Sequence, residues 1–182
     1  MGSLFIGVLP LVAFVIVDAF LGLKNALIVT AVFALLETIF TLYYFRDIDF
    51  ISGLSLLLVF LFCYLSFRKK NDFFIKMQPV VLSILIGVIL IFSYYLDRPF
   101  LLEISMKYKT LLPKQFAQML ENTLFRNLLV VSTFTLGLSH ILHGGAVYWS
   151  AIRLNNWWWI ATRGIGYYLF IGLGLLSARL YI

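Results

Sequence analysis

The feature that most constrains this chain is the recurrence of apolar stretches about as long as a lipid bilayer is thick. A hydrocarbon core about 30 Å deep takes about 20 apolar residues of α-helix to cross. Windows of that length with at most one charge occur six times: Leu4 to Gly22 (Asp18), Asn25 to Tyr44 (Glu37), Phe50 to Phe67 (none), Met77 to Leu96 (none), Asn127 to Ser150 (none) and Trp157 to Ala178 (Arg163). The windows are continuously apolar rather than alternating. That selects helices over a β-barrel, because lipid tolerates no unpaired backbone. The reading is all-α: one transmembrane domain over residues 1–182, a polytopic bundle of about six spans plus one interfacial amphipathic helix in the connection 97–126.

Composition bears on which functions are excluded. The chain is 63% hydrophobic and 12% charged, where a soluble domain runs about 45–50% and about 25%. A soluble enzyme is excluded, and so is a disulfide-stapled secreted domain, since Cys63 is the only cysteine. The net charge of +6, from 14 Lys+Arg against 8 Asp+Glu, sits mostly between the apolar runs and suits anionic head groups better than nucleic acid. The first window is read as retained, because no basic residue precedes it as a signal peptide requires, and Ile6 stands where a myristoylation signal needs Ser or Thr.

Alternating the spans puts the Arg46-Asp47 turn, the connection Asp97 to Arg126 and both termini at one face, A. Lys24, the Arg68-Lys69-Lys70 turn and Arg153 then lie at the other, B. Tyr43, Tyr44, Tyr94 and Tyr95 fall at face A, and Tyr148, Trp149 and Trp157-Trp158-Trp159 at face B, as amphipathic rings settle at head-group level. Face A counts seven Lys/Arg (Arg46, Arg98, Lys107, Lys109, Lys114, Arg126, Arg179) and face B six (Lys24, Arg68, Lys69, Lys70, Lys76, Arg153). Counting alone therefore barely orients the chain. The one extended connection, carrying five of those charges, assigns face A to the cytoplasm. From Pro113, residues Phe116, Met119, Leu120, Thr123 and Leu124 recur at helical spacing opposite Lys114, Gln115, Gln118 and Glu121. This predicts a helix lying flat on the membrane, either as a docking surface or as a connector.

Asn71-Asp72-Phe73-Phe74-Ile75-Lys76 with Pro79, Arg98-Pro99-Phe100-Leu101 after the fourth span, and Leu9-Pro10-Leu11-Val12 in the first together resemble the intracellular septation protein A family, also called the inner membrane-spanning YciB or IspZ family. The resemblance runs from Leu9 to about Pro113. Beyond that, Ala117, Glu121 and Trp157-Trp158-Trp159 depart from the family's pattern. The resemblance implies a multi-span protein of the bacterial inner membrane connected with septum formation and envelope upkeep, with no catalytic residue to carry over. Asn71, Asp72, Lys76, Pro79, Arg98 and Pro99 enter as family-like motif residues and lipid-contact candidates. Read physically, Asn71 or Asp72 caps the fourth helix, a contribution of about 1 kcal/mol. Lys76 snorkels toward head groups and, with Arg68, Lys69 and Lys70, offers a lipid-phosphate site.

Charges inside a bilayer cost about 2.5–3.5 kcal/mol or more each, so they face the bundle and find partners. Rise per residue places Asp18 about 6 Å from face B, Arg163 about 9 Å, His143 about 10 Å, His140 about 15 Å and Glu37 about 18 Å. These five make the predicted intramembrane polar cluster. Arg163, always charged, is expected to pair with Asp18, with Glu37 reached directly or through His140 or water. His140 and His143 share one side of the fifth helix, but no third ligand completes a metal or haem set, so no metal and no cofactor is assigned. Gly137, Gly144, Gly145, Gly164, Gly166, Gly172 and Gly174 suit close helix approach.

The function expected is non-enzymatic: support of septation and envelope maintenance through contacts with membrane lipids and with division or envelope-synthesis membrane proteins, without nucleic acid. The rival is a small transporter or lipid-handling protein whose path runs past Asp18, Glu37, His140 and Arg163. A weaker rival is a haem or metal membrane protein.

Overall fold

The computed structural model describes residues 9–45 and 50–181. The start of the first window, from Leu4 to Val8, and the Arg46-Asp47 turn lie outside the described residues. Seven α-helices are described: α1 Leu9–Phe45, α2 Phe50–Lys69, α3 Phe73–Tyr95, α4 Phe100–Lys107, α5 Lys114–Met119, α6 Thr123–Arg153 and α7 Asn156–Leu180, with a 3₁₀ turn Lys109–Leu111 between α4 and α5. Four stretches are long and apolar enough to cross a membrane: Val12–Phe40, Phe73–Tyr95, Thr123–Arg153 and Asn156–Leu180.

The boundary expected between the first two windows falls inside α1. Gly22 has φ 76° and ψ 167°, which no helix accommodates and a left-handed φ makes natural only for glycine. α1 is thus two helical segments meeting at Gly22, one on each side of the predicted break.

The residues fall into two compact units, Met1–Leu82 with Val147–Gly164, and Ser83–Ala146 with Ile165–Ile182. In the first, α1 packs on α2, and the core is Phe14, Val15, Ala26, Leu27, Val59, Cys63, Ile75, Val80, Val147 and Trp159, all buried. Cys63 is sealed there, with Sγ 3.9 Å from the Leu27 carbonyl.

In the second unit, α3 and α6 cross at a pair of glycines. A Cβ on Gly87 would sit 2.7 Å from the Gly137 carbonyl oxygen, and one on Gly137 3.0 Å from that of Gly87. Backbones approach this closely only where both side chains are absent. Of the glycines expected to serve close packing, Gly137 and Gly174 do so. Gly145, Gly164 and Gly172 face open space, and Gly87 was not among those expected.

The connection differs from the single amphipathic helix expected. α5 ends at Met119, and a turn through Leu120 to Asn122 intervenes before α6. The cause is Asn122, whose Oδ1 accepts the Leu124 N–H at 2.8 Å and starts a new helix there. Thr123 and Leu124 therefore belong to α6. Within the connection Leu120 is 2% exposed, Phe116 stacks edge-on against Phe125 at 5.2 Å, and Lys109 pairs with Glu121 at 3.1 Å, while Met119 and Leu124 are exposed. The eight-residue α4 went unread because two turns are too short for periodicity to register. Its first free N–H groups are satisfied from other helices: Ser93 Oγ accepts from Phe100 (3.2 Å) and Thr133 Oγ1 from Leu101 (3.3 Å).

Candidate functional site

The turn from α2 into α3 carries the densest polar wiring. Lys70 takes φ 52° to end α2, and the Asn71 N–H then donates to the Ser66 carbonyl at 3.1 Å. Asn71 Oδ1 accepts the Phe73 N–H at 2.9 Å, which is the predicted cap. Ser66 Oγ accepts the Ile75 N–H at 2.9 Å, so a second orphaned donor of α3 is satisfied by α2. Buried Pro79 has no N–H, which leaves the Ile75 carbonyl without its helical partner.

Lys76 does not snorkel. It is 7% exposed and forms an ion pair with Asp72, one turn earlier, so it drops out of the phosphate site drawn with Arg68, Lys69 and Lys70, which remain exposed. Asp18, on the first segment of α1, lies within electrostatic reach of both Asp72 and Lys76. The buried ammonium is paired with Asp72, and Asp18 on another helix lies within the field of both.

Arg163 is coupled in charge to Glu37, on the second segment of α1. The expected Arg163–Asp18 pair is replaced by two groupings in the same unit, Asp18 with Asp72 and Lys76, and Glu37 with Arg163. Depth along straight helices favoured Asp18, but the break at Gly22 frees the two segments of α1 to take different directions, and each delivers its acid to a different base. Both groupings follow the rule that charges in lipid find partners.

The histidines belong to the other unit. The His140 Nδ1–H donates to the Leu136 carbonyl at 2.8 Å, and its Nε2 lies 3.4 Å from the Tyr167 hydroxyl. His143 Nδ1 and Ser83 Oγ are 2.9 Å apart. The Tyr167 ring stands edge-on to both imidazoles, at 5.6 Å and 5.3 Å. The two histidines do share one side of α6, where they meet one tyrosine. Among the described residues no group of three or more His, Cys, Asp or Glu side chains could hold a metal.

Sequence reasoning missed Ser83, Tyr167 and the Gln78–Ser55 contact (3.0 Å). It also misplaced one tryptophan. Trp157 and Trp158 are exposed as an interfacial pair should be, but Trp159 is fully buried, because the helical turn of 100° per residue swings it into the core. Its Nε1 and the Oε1 of Gln78 are buried without a hydrogen-bond partner among the described residues.

Helices of bilayer length that carry charges among apolar residues and turn bulky apolar side chains outward define a multi-pass helical membrane protein. Within that class the chain belongs to a particular family: residues 3–142 match Intracellular septation protein A. The match extends past the segment that the motifs alone identified and takes in Asp18, Glu37, Asn71, Asp72, Lys76, Pro79, Arg98, Pro99 and His140, while His143 and Arg163 lie beyond it. No curated protein and no solved structure matches the chain.

Proposed function

We propose that this protein crosses the bacterial inner membrane six times, with the two segments of α1 as the first two spans, α2 as the third and α3, α6 and α7 as the rest. It catalyses no reaction and supports septation and envelope maintenance through contacts with lipids and with membrane proteins of division or envelope synthesis. Face A, bearing α4 and α5, is cytoplasmic. Membership of the septation family supports the first part of this reading. The observation that carries the second is that the intramembrane charges engage one another: Lys76 is 7% exposed against Asp72, and Glu37 is coupled to Arg163. Residues committed to mutual neutralisation serve helix packing rather than a permeating solute. The test is photo-crosslinking in intact membranes from exposed positions on α5 and α7, with identification of what is captured. Recurrent capture of division or envelope-synthesis proteins supports the reading, and capture of bulk lipid alone refutes it.

A further inference from the structure

We infer that the unit formed by Ser83–Ala146 and Ile165–Ile182 holds one phospholipid whose head group bears both a phosphate and a primary ammonium, with the ammonium at Tyr94, Tyr95 and Asp97 and an acyl chain laid along α6 and α7. Where α3 ends, a cavity of about 420 Å³ is lined by Tyr94, Tyr95, Asp97, Pro99, Leu102 and Val130. The two tyrosines stand edge to face at 5.6 Å and 82°, and Phe134 lies 5.1 Å from Tyr94, so the rings support one another in place. Asp97 is exposed, holds φ 57°, and forms no ion pair among the described residues. A left-handed turn at a non-glycine residue fixes where that carboxylate starts from. Aromatic faces beside an unpaired carboxylate are the surroundings that recognise an ammonium.

Tyr94 is also a wall of a second space, a groove of about 690 Å³ whose other walls include Phe134, Leu138, Leu142, Phe170 and Leu173. Its extent along α6, from Val131 to Leu142, is about 16 Å, which suits an extended chain rather than a compact solute. Two of its three aliphatic hydroxyls are already committed: Thr135 Oγ1 donates to the Ser132 carbonyl and Ser177 Oγ to that of Gly174. The groove therefore presents an apolar trough that shares its Tyr94 wall with the cavity beside Asp97. Arg98, exposed and adjacent to Asp97, has its backbone fixed by a 3.0 Å bond to the Ser93 carbonyl and supplies a guanidinium for the phosphate. A lipid with phosphate but no ammonium would satisfy Arg98 alone and leave the Asp97 carboxylate without a counter-charge. The order of groups, ammonium and phosphate at one end and hydrocarbon at the other, selects an amine-headed phospholipid.

The inference depends on the topology proposed above only in placing Tyr94 to Pro99 at head-group level. Labelling of Leu96→Cys in a Cys63→Ser chain by a membrane-impermeant thiol reagent tests that level on its own, so the two ideas fail separately. The lipid site is tested by native mass spectrometry of the full-length chain, titrated with phosphatidylethanolamine and with phosphatidylglycerol of the same acyl chains. Phosphatidylethanolamine should be retained about tenfold more tightly. Asp97→Asn should bring the two lipids close to parity. Tyr95→Leu, at a residue 69% exposed and so no threat to folding, should reduce the preference in the same direction. Leu138→Trp, which narrows the groove from a wall 42% exposed, should weaken both lipids and leave their ratio unchanged. Equal retention by the unmodified chain, a preference for phosphatidylglycerol, or a preference unaltered by both head-group variants would overturn the assignment.

Discussion

The buried ammonium of Lys76 offers the sharpest perturbation. Lys76→Met keeps most of the side-chain volume and removes the charge, leaving Asp72 without its ion-pair partner and still within electrostatic reach of Asp18. Stranding one member of a buried pair costs about 3–5 kcal/mol. The Asp72 side chain is 33% exposed, however, so water screens part of that loss, and about 2–3 kcal/mol is expected. Asp72→Asn strands the lysine instead, whose side chain is only 9% exposed. Asp18, within electrostatic reach, offsets part of the stranded charge, and about 2–3 kcal/mol is expected here too. The double variant Asp72→Asn/Lys76→Met should then be more stable than the sum of the single losses predicts, by at least about 1 kcal/mol. Adding Asp18→Asn to Lys76→Met should recover stability, because it removes the repulsion that the methionine exposes. The assay is reversible denaturant unfolding in mixed micelles, followed by tryptophan fluorescence. Additivity of the two single variants within about 0.5 kcal/mol, or further destabilisation by Asp18→Asn, would refute the coupling of these three charges.

Three further outcomes are expected. Gly87→Ala drives a Cβ against the Gly137 carbonyl and should lower stability by about 1–3 kcal/mol, whereas Gly145→Ala, which meets nothing within 4 Å, should be neutral or slightly stabilising in the same unfolding assay. Replacing both Phe116 and Leu120 by Ser should release the connection, raising protease cleavage between Lys109 and Arg126 while far-ultraviolet circular dichroism stays near that of the parent chain. Tyr167→Phe removes the hydroxyl that reaches His140 and should cost about 0.6–1.7 kcal/mol, visible also as a changed His140 ring nitrogen shift by NMR; an unchanged shift would deny the contact.

The sequence carried the fold further than the site, for physical reasons that individual residues illustrate. Span positions were legible because bilayer thickness sets a length that apolar runs must meet, and the break at Gly22 falls where the first two windows part. The Asn71 cap was legible because capping is local, decided within two residues. The partner of Arg163 was not, since choosing between Asp18 and Glu37 depends on the direction of two segments joined at a positive-φ glycine, and composition says nothing about that angle. Lys76 was assigned to the surface for the same kind of reason: an acid four residues earlier was read as a cap, when the helical spacing also makes it an ion-pair partner. Asn122 belongs to neither side of the stripe read from Pro113, yet Asn is a strong cap residue, and a cap in the middle of a stripe divides it. Ser83 and Tyr167 could have been found only as small or aromatic polar residues inside apolar windows, a signal shared with many residues that do nothing comparable.

The central claim is that the intramembrane charges hold helices together and carry no solute. It is tested most directly by replacing the Glu37 and Arg163 pair with Leu at both positions and expressing the full-length double variant in a host lacking its own copy. Membrane abundance and cell-length distribution at division are measured side by side. Two leucines remove the charge and its desolvation cost together, so the account predicts normal abundance and normal septation, with either single replacement reducing abundance. A double variant that reaches normal abundance and still fails to restore septation would contradict it.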